Sequence, residues 1–302
     1  MVDKIGETGE AIAQSVREKA VNSQVVLGKF GDLVFEVGTD KKTVRIRETN
    51  LSEFSLVYLR RVGHRYFSTA GTLALFLQKE KIKFFDRRFA EIGPAGDKFT
   101  SLSKLAFAGI SVPQTVFLMK ENLEKNSSEL INFLNLPLIA KEYALQRNQG
   151  IFMIRSKADF TQLLAMEIWG KESQFLFQKF INIEKEYRLL VLGDKVAVAH
   201  TKAVRDYQGF RVVDNTPENN VTFIDPRQIS EEMKSEAVTA ARVLNTEIAG
   251  VDVCQEKKTG NVYVIEVNRG PGFFTDRNFS PELTEVADFL IREAKRPNDQ
   301  HQ

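Results

Sequence analysis

Three oxygen-bearing side chains lie close together in the last third of the chain. Asp252 sits in the run Gly250-Val-Asp-Val-Cys254, and Glu266 and Asn268 in Val262-Tyr-Val-Ile-Glu-Val-Asn268. Both runs are otherwise apolar, which suits two β-strands joined by a polar turn around Thr259-Gly260. Side chains alternate along a strand, so Glu266 and Asn268 are expected to share a face with Val262 and Val264, with Ile265 and Val267 opposite. A hairpin centred on Thr259 sets Asp252 directly across from Glu266. Facing carboxylates repel unless a cation lies between them. Together with the Asn268 amide they form an all-oxygen set with few protein ligands, which suits magnesium sharing its other positions with water and phosphate. By spacing alone, two carboxylates facing solvent from a surface sheet is an equal reading. Arg269-Gly-Pro-Gly272 tips the balance, because so tight a turn lets backbone approach a ligand.

Two lysines have positions suited to phosphate. Lys141 ends the run Leu138-Ile-Ala, and Lys98 follows Asp97, a helix-capping residue. Gln146-Arg-Asn-Gln-Gly150 reads as a flap whose backbone N–H groups cover those phosphates. Taken singly, each lysine reads as a solvated surface charge in preference to a phosphate contact. Cys254 reads as a buried small residue, and His64 and His200 as structural. Arg60, Arg61 and Arg65 read as a solvated basic edge in preference to a site for an acidic substrate.

The elements that must position these residues follow from the apolar pattern. Residues 1–23 are polar, a peripheral helix or loose arm. Strand-like runs at 24–30, 33–37, 43–47 and 55–59, a helix through Leu73 and Leu77, and a strand at 82–85 outline an α/β lobe over 24–96. A helix opened by Asp97 and closed by Gly109 leads to strands at 115–119, 138–141 and 149–154. Ser156 and Asp159 open another helix, and 175–181 is again strand-like. Residues 186–192 and 195–200 flank Gly193-Asp194 as a hairpin; Ser230 and Ser280-Pro281 start the last two helices. The expected divisions are therefore 97–182, 183–295 and a mobile tail at 296–302.

The 302 residues suffice for two or three lobes. The 42 basic and 40 acidic side chains nearly balance, which excludes a nucleic-acid binder working by bulk charge. No apolar run is long enough to span a bilayer, the N-terminus is not a signal peptide, and the single cysteine fits a reducing compartment, so the expected location is the cytoplasm.

The order of these pieces resembles the ATP-grasp superfamily and, within it, the RimK-like ligases. The resemblance is carried by Asp97-Lys98, Ala108-Gly109-Ile110, Leu136-Pro-Leu-Ile-Ala-Lys141, Asn148-Gln-Gly-Ile151, Gln178-Lys-Phe-Ile181, Glu186-Tyr-Arg188, Phe210-Arg211, Gly250-Val-Asp252 and Glu266-Val-Asn268 with Pro271-Gly272. It implies an α+β ATP-grasp fold, two lobes enclosing ATP, with an α/β pre-ATP-grasp lobe before them. It implies that Lys98 and Lys141 contact phosphates, that Gln178, Lys179, Phe180 and Ile181 form the adenine hinge, and that Glu186 binds ribose. Asp252, Glu266 and Asn268 would hold magnesium, or manganese in its place. Arg188, Lys202 and Arg211 would face an acyl phosphate or a substrate carboxylate. The implied activity joins a carboxylate to an amine through an acyl phosphate, releasing ADP and phosphate. The implied partners are ATP and an amino acid, peptide or protein terminus, with no nucleic acid and no membrane; a homo-oligomer is allowed. A non-catalytic ATP-binding regulator and a phosphotransferase that makes no amide are the alternatives. The chain departs from the family at 141–150, Lys179, Val213 and 215–220, so the relatives' substrate does not carry over.

Overall fold

A computed structural model describes residues 1–302 apart from 3–4, 38–41, 47, 64–65, 91–97, 121–122, 143–150, 167–172, 203, 208–209, 214–220, 274–279 and 297–302. The flap at 146–150, Asp97, His64, Arg65 and residues 215–220 therefore lie outside the described residues, as does the tail beyond Arg296.

The polar N-terminal segment contains helix α1 (Glu7–Lys19), which buries Ile12 and Ala13. Residues 24–30, expected as a strand, form no ladder. Lys29 makes only an isolated bridge to Val2, and Phe30 starts a short 3-10 turn. The run's apolar content reflects burial instead, since Phe30 is in the lobe's core. β1 (Leu33–Val37), β2 (Lys42–Ile46) and β3 (Thr49–Asn50) form an antiparallel sheet. β4 (Val57–Tyr58) and β5 (Phe84–Phe85) pair in parallel across helix α2 (Phe67–Lys79). Ala70, Leu73, Ala74 and Leu77 recur at helical spacing and bury against Leu59 and Phe84.

Helix α3 (Lys98–Phe107) is followed by Gly109 in the left-handed conformation, φ +78°. The first ATP-grasp lobe comprises β6 (Thr115–Met119), α4 (Leu123–Leu134), β7 (Leu138–Glu142), β8 (Ile151–Ile154), α5 (Lys157–Ala165) and β9 (Gln174–Lys179). Its antiparallel sheet runs β6-β9-β7-β8. Sequence reading passes over α4, because its buried stripe of Leu123, Leu130 and Leu134 is diluted by six polar residues, Glu124 to Glu129. The start of α5 is as predicted: the Asp159 N–H donates to Ser156 Oγ at 3.2 Å and the Ser156 N–H to Asp159 Oδ2 at 3.0 Å.

The second lobe holds β10 (Ile183–Leu192), β11 (Lys195–Lys202), the hairpin β12 (Val204–Tyr207) and β13 (Phe210–Val213), β14 (Val221–Ile224), α6 (Glu231–Val243), β15 (Ile248–Glu256), β16 (Val262–Asn268) and α7 (Pro281–Lys295). Its five-stranded antiparallel sheet has the order β14-β11-β10-β15-β16. One face packs Leu189, Val191, Val251 and Val253 against Met233, Ala237 and Ala240 of α6, and Leu105 of α3 joins the same core. At one end of the other face, Leu190, Leu192, Val198 and Ile248 pack on Val286 and Phe289 of α7, with Ile12 of α1 alongside. Lys19 of α1 pairs with Asp288 of α7 at 2.6 Å.

Candidate active site

Beyond α7, the alternate positions on that second face change from apolar to polar. The strand registers order them into rows. Lys202, Glu186, Cys254 and Tyr263 follow one another across β11, β10, β15 and β16. The next row is His200, Arg188, Asp252 and Glu266; the one after ends in Gly250 and Asn268. The expected pairing of Asp252 with Glu266 is observed.

The alternation behind it is not. Asp252 pairs with Glu266 but Val253 pairs with Val264, which leaves Ile265 as the extra residue of a β-bulge. Below the bulge, Val262 and Val264 face the α6 core, as does Val267 above it. Tyr263 and Ile265 pack with Ile181, Ile183 and Cys254 on the opposite side. The bulge thus turns Glu266 and Asn268 away from the face of Val262 and Val264 and towards Asp252. The Asn268 amide nitrogen lies 3.4 Å from Asp252 Oδ2.

Charges in these rows are closely balanced. Asp252 Oδ1 is 2.7 Å from Arg188 Nε and 2.9 Å from Lys202 Nζ, as ion-pair contacts rather than aligned hydrogen bonds. Lys202 Nζ donates to Glu186 Oε1 at 2.6 Å. Burial opposes the charge on both partners. It raises the Glu186 carboxyl, against the pull of Lys202. On Lys202 burial is outweighed by Asp252 and Glu186, and the ammonium titrates above the ordinary lysine value. His200 rests edge-on against Phe223, its Nδ1 3.7 Å from Glu282 Oε1. Burial, then the cations Arg188 and Lys202, depress it to about 4, so it is neutral at physiological pH.

The first lobe faces this floor with lysines. Lys141 on β7 is lowered by burial; Glu266, Glu186 and Asp252 attract its charge and Lys98 opposes it. At the end of β9, Gln178 Nε2 donates to Thr115 Oγ1 at 3.0 Å and the Lys179 N–H to the Gln114 carbonyl at 2.9 Å. Phe180 and Ile181 lie just past the ladder, and Ile181 joins the apolar patch beside Cys254. Cys254 is fully buried and its thiol is pushed up by that burial, as expected of a packing residue. Arg211 lies on β13 opposite Asp206.

The expectation of a solvated basic edge fails for Arg60 and holds for the exposed Arg61. Arg60 is 4% exposed, donates to the Pro271 carbonyl at 2.6 Å and lies over the Phe273 ring. Arg61 Nε donates to the Gly270 carbonyl at 3.0 Å. In return Arg269 donates to the Val62 carbonyl at 3.0 Å between the rings of Phe67 and Phe89. The N-terminal lobe therefore clasps the turn that follows Asn268. Sequence reading also gave no role to Gly250. A Cβ there would stand 2.8 Å from both Arg188 Nη1 and Pro271 Cβ, so the glycine makes room for the arginine.

Among the described residues no group of three or more His, Cys, Asp or Glu could hold a metal. Two carboxylates and an amide are a different donor set. The Asn268 nitrogen turned to Asp252 leaves its oxygen for a ligand, and the exposed Glu266 leaves room for phosphate oxygens. That set fits magnesium. No helix among the described residues is long and apolar enough to cross a membrane.

Lysines on one α+β lobe, facing a carboxylate floor on a second, are the arrangement of an ATP-grasp protein. Residues 95–283 match the RimK-like ATP-grasp domain, and the chain belongs to that family. It is 33% identical over 186 residues to a probable alpha-L-glutamate ligase of Mannheimia succiniciproducens, covering 61% of this chain and 58% of the relative, less than two thirds of that protein's length. To the coenzyme gamma-F420-2:alpha-L-glutamate ligase of Methanocaldococcus jannaschii it is 28% identical, over 66% of this chain and 67% of the relative. Among solved structures, the ATP-grasp ligase PsnB complexed with precursor peptide PsnA2 and AMPPNP superposes with a TM-score of 0.71 at 17% identity, covering 98% and 97% of the two chains. That likeness establishes the fold.

Proposed function

We propose that this chain is an ATP-dependent carboxylate–amine ligase acting through an acyl phosphate. The observation that carries the reading is the row His200-Arg188-Asp252-Glu266 opposite Lys141. A substrate carboxylate oxygen attacks the γ-phosphorus, the bond to the β,γ-bridging oxygen breaks, and ADP leaves. The amine then attacks the acyl carbon, phosphate departs, and the nitrogen loses a proton to give the amide. Lys98 and Lys141 offset charge on the phosphates, and Arg188, Lys202 and Arg211 hold the acyl phosphate or a substrate carboxylate. Phe180 and Ile181, beyond the hydrogen bonds that commit Gln178 and Lys179, receive the adenine. Glu186 spends Oε1 on Lys202 and offers its other oxygen to ribose. Asp252, Glu266 and Asn268 would hold magnesium, or manganese, which neutralises phosphate charge. No protein nucleophile is needed, since positioning and charge stabilisation carry such transfers.

The relatives named as glutamate ligases support an amino acid as substrate, the precursor peptide bound to PsnB supports a peptide, and a protein terminus is the third candidate. A cytoplasmic location, where ATP is abundant, is part of the same proposal. The test is ADP release over a panel of amino acids and short peptides, followed by product mass. ADP together with a product lighter by one water than its two substrates is expected. AMP with pyrophosphate, or a stable phosphorylated product insensitive to amine, refutes the reading.

A further inference from the structure

The ligation step sheds one proton from the attacking nitrogen, and no group named so far takes it. Arg188 and Arg211 are guanidinium cations, and burial of Lys202 is outweighed by Asp252 and Glu186, which keep it charged. His200 is the neutral nitrogen base of the row that carries Arg188, Asp252 and Glu266. Phe223 of β14 is its partner on the other side and meets the ring edge-on, with centroids 5.5 Å apart. His200 Nδ1 is buried and has no hydrogen-bond partner among the described residues. It lies 3.7 Å from Oε1 of Glu282, a residue 2% exposed in the first turn of α7. Nε2 is on the opposite edge of the ring, turned from α7. A proton on Nδ1 then faces a carboxylate, which leaves Nε2 as the acceptor and stabilises the imidazolium that results.

Among the described residues, the charges that face this ring are Lys202 on its own strand, Arg188 on β10, Asp252 on β15 and Glu282 on α7. Burial first, then Arg188 and Lys202, hold it at about 4. An acyl phosphate bound by Arg188 and Lys202 cancels their repulsion and leaves Glu282 to draw a proton onto the ring. The base therefore gains strength once the acyl phosphate is in place, which is when the amine attacks.

We infer that His200 is the general base of the ligation step, held in place by Glu282. The nitrogen attacks the acyl carbon, the C–N bond forms as the acyl C–O bond breaks, and phosphate leaves with the electron pair. The proton of that nitrogen passes to His200 Nε2 and from there to water. The inference rests on the ligase reading above and adds to it the group that accepts the proton.

The test separates nitrogen nucleophiles by their need for a base. The full chain, supplied with magnesium and ATP, is given free amino acids and dipeptides as carboxylate and amine. In a parallel set hydroxylamine replaces the amine; it is largely unprotonated near neutral pH and attacks an acyl phosphate without a base. Amide and hydroxamate are read by mass, with melting midpoint and ATP affinity measured alongside. His200→Gln, which has no titratable nitrogen, is expected to lose kcat for the amide by roughly a hundred- to ten-thousand-fold, while hydroxamate formation keeps most of its rate. Glu282→Gln removes the charge that favours the imidazolium, so the acid limb of the kcat profile for the amide moves to lower pH than in the wild type. Equal losses of amide and hydroxamate in His200→Gln, or amide formation at the wild-type rate, overturn the inference and leave the ligase reading standing. If His200→Gln does not fold, or the wild type does not use hydroxylamine, an acid limb unmoved in Glu282→Gln overturns it instead. Neither amide nor hydroxamate from the wild type overturns both.

Discussion

Asp86→Asn tests whether burial or ion pairing governs the clasp on the turn after Asn268. Asp86 is 2% exposed, its φ is +67°, and among the described residues neither carboxylate oxygen has a hydrogen-bond partner. Arg269 Nε is 4.0 Å away. Burial raises the carboxyl to about 7 from 3.8; Arg88 and Arg269 oppose the rise and Glu247 adds to it. Arg269 is lowered to about 10, again by burial first, so both partners are pushed towards neutrality and desolvation outweighs their attraction. A rise from 3.8 to about 7 corresponds to about 4 kcal/mol at about 1.36 kcal/mol per pH unit. The folded state holds this proton more tightly than the unfolded state. Its stabilisation is therefore complete below the unfolded value of 3.8 and is lost as pH climbs to about 7. Between about pH 5 and about pH 8.5 the wild type loses about 3 kcal/mol through this group. Asparagine has nearly the same shape, never ionises and tolerates a positive φ. Relative to wild type, Asp86→Asn should gain about 3 kcal/mol more at the higher pH than at the lower, read by urea unfolding at both. A stability difference between variant and wild type that stays the same or shrinks from the lower to the higher pH refutes the argument, because burial would then not raise the Asp86 carboxyl.

Glu266→Ala should lose ATP turnover while stability changes by less than about 0.5 kcal/mol, since Glu266 is exposed; near-normal turnover would sink the metal assignment. Gly250→Ala drives a methyl into Arg188 and Pro271. It should cost about 1–3 kcal/mol in denaturant unfolding, or lower kcat/KM by about ten- to a hundred-fold if Arg188 moves off Asp252. Wild-type values in both assays would contradict the packing. Lys202→Met leaves the buried Glu186 carboxylate without its partner and should destabilise by about 3–5 kcal/mol. Adding Glu186→Gln should recover most of that loss, and strictly additive losses in the double-mutant cycle would disprove the pairing.

Much of the fold was legible because local rules and tertiary packing agree. The Gly193 turn, the Ser156 capping box and the span 262–268 of β16 follow from turn chemistry, reciprocal capping and apolar content. Agreement fails where burial reaches a residue from outside its own element. Helix α4 carries its stripe among polar residues, and the apolar run at 24–30 is buried by neighbours that offer it no ladder. The hairpin count at Thr259 reached the right pair, Asp252 and Glu266, through a register that a bulge at Ile265 displaces.

Asp252, Glu266 and Asn268 were legible as a candidate oxygen set from residue type and spacing, and Lys98 and Lys141 as candidate phosphate contacts from the order of the motifs, since oxygen ligands and point charges are properties of single side chains. Only the folded chain decided which way they face. The bulge turns Glu266 and Asn268 to Asp252, Gly250 makes room for Arg188, and the N-terminal lobe grips the turn beyond them. These depend on contacts between strands and lobes distant in sequence. Arg60 and Pro271 meet across 211 residues, and no local pattern records such a meeting.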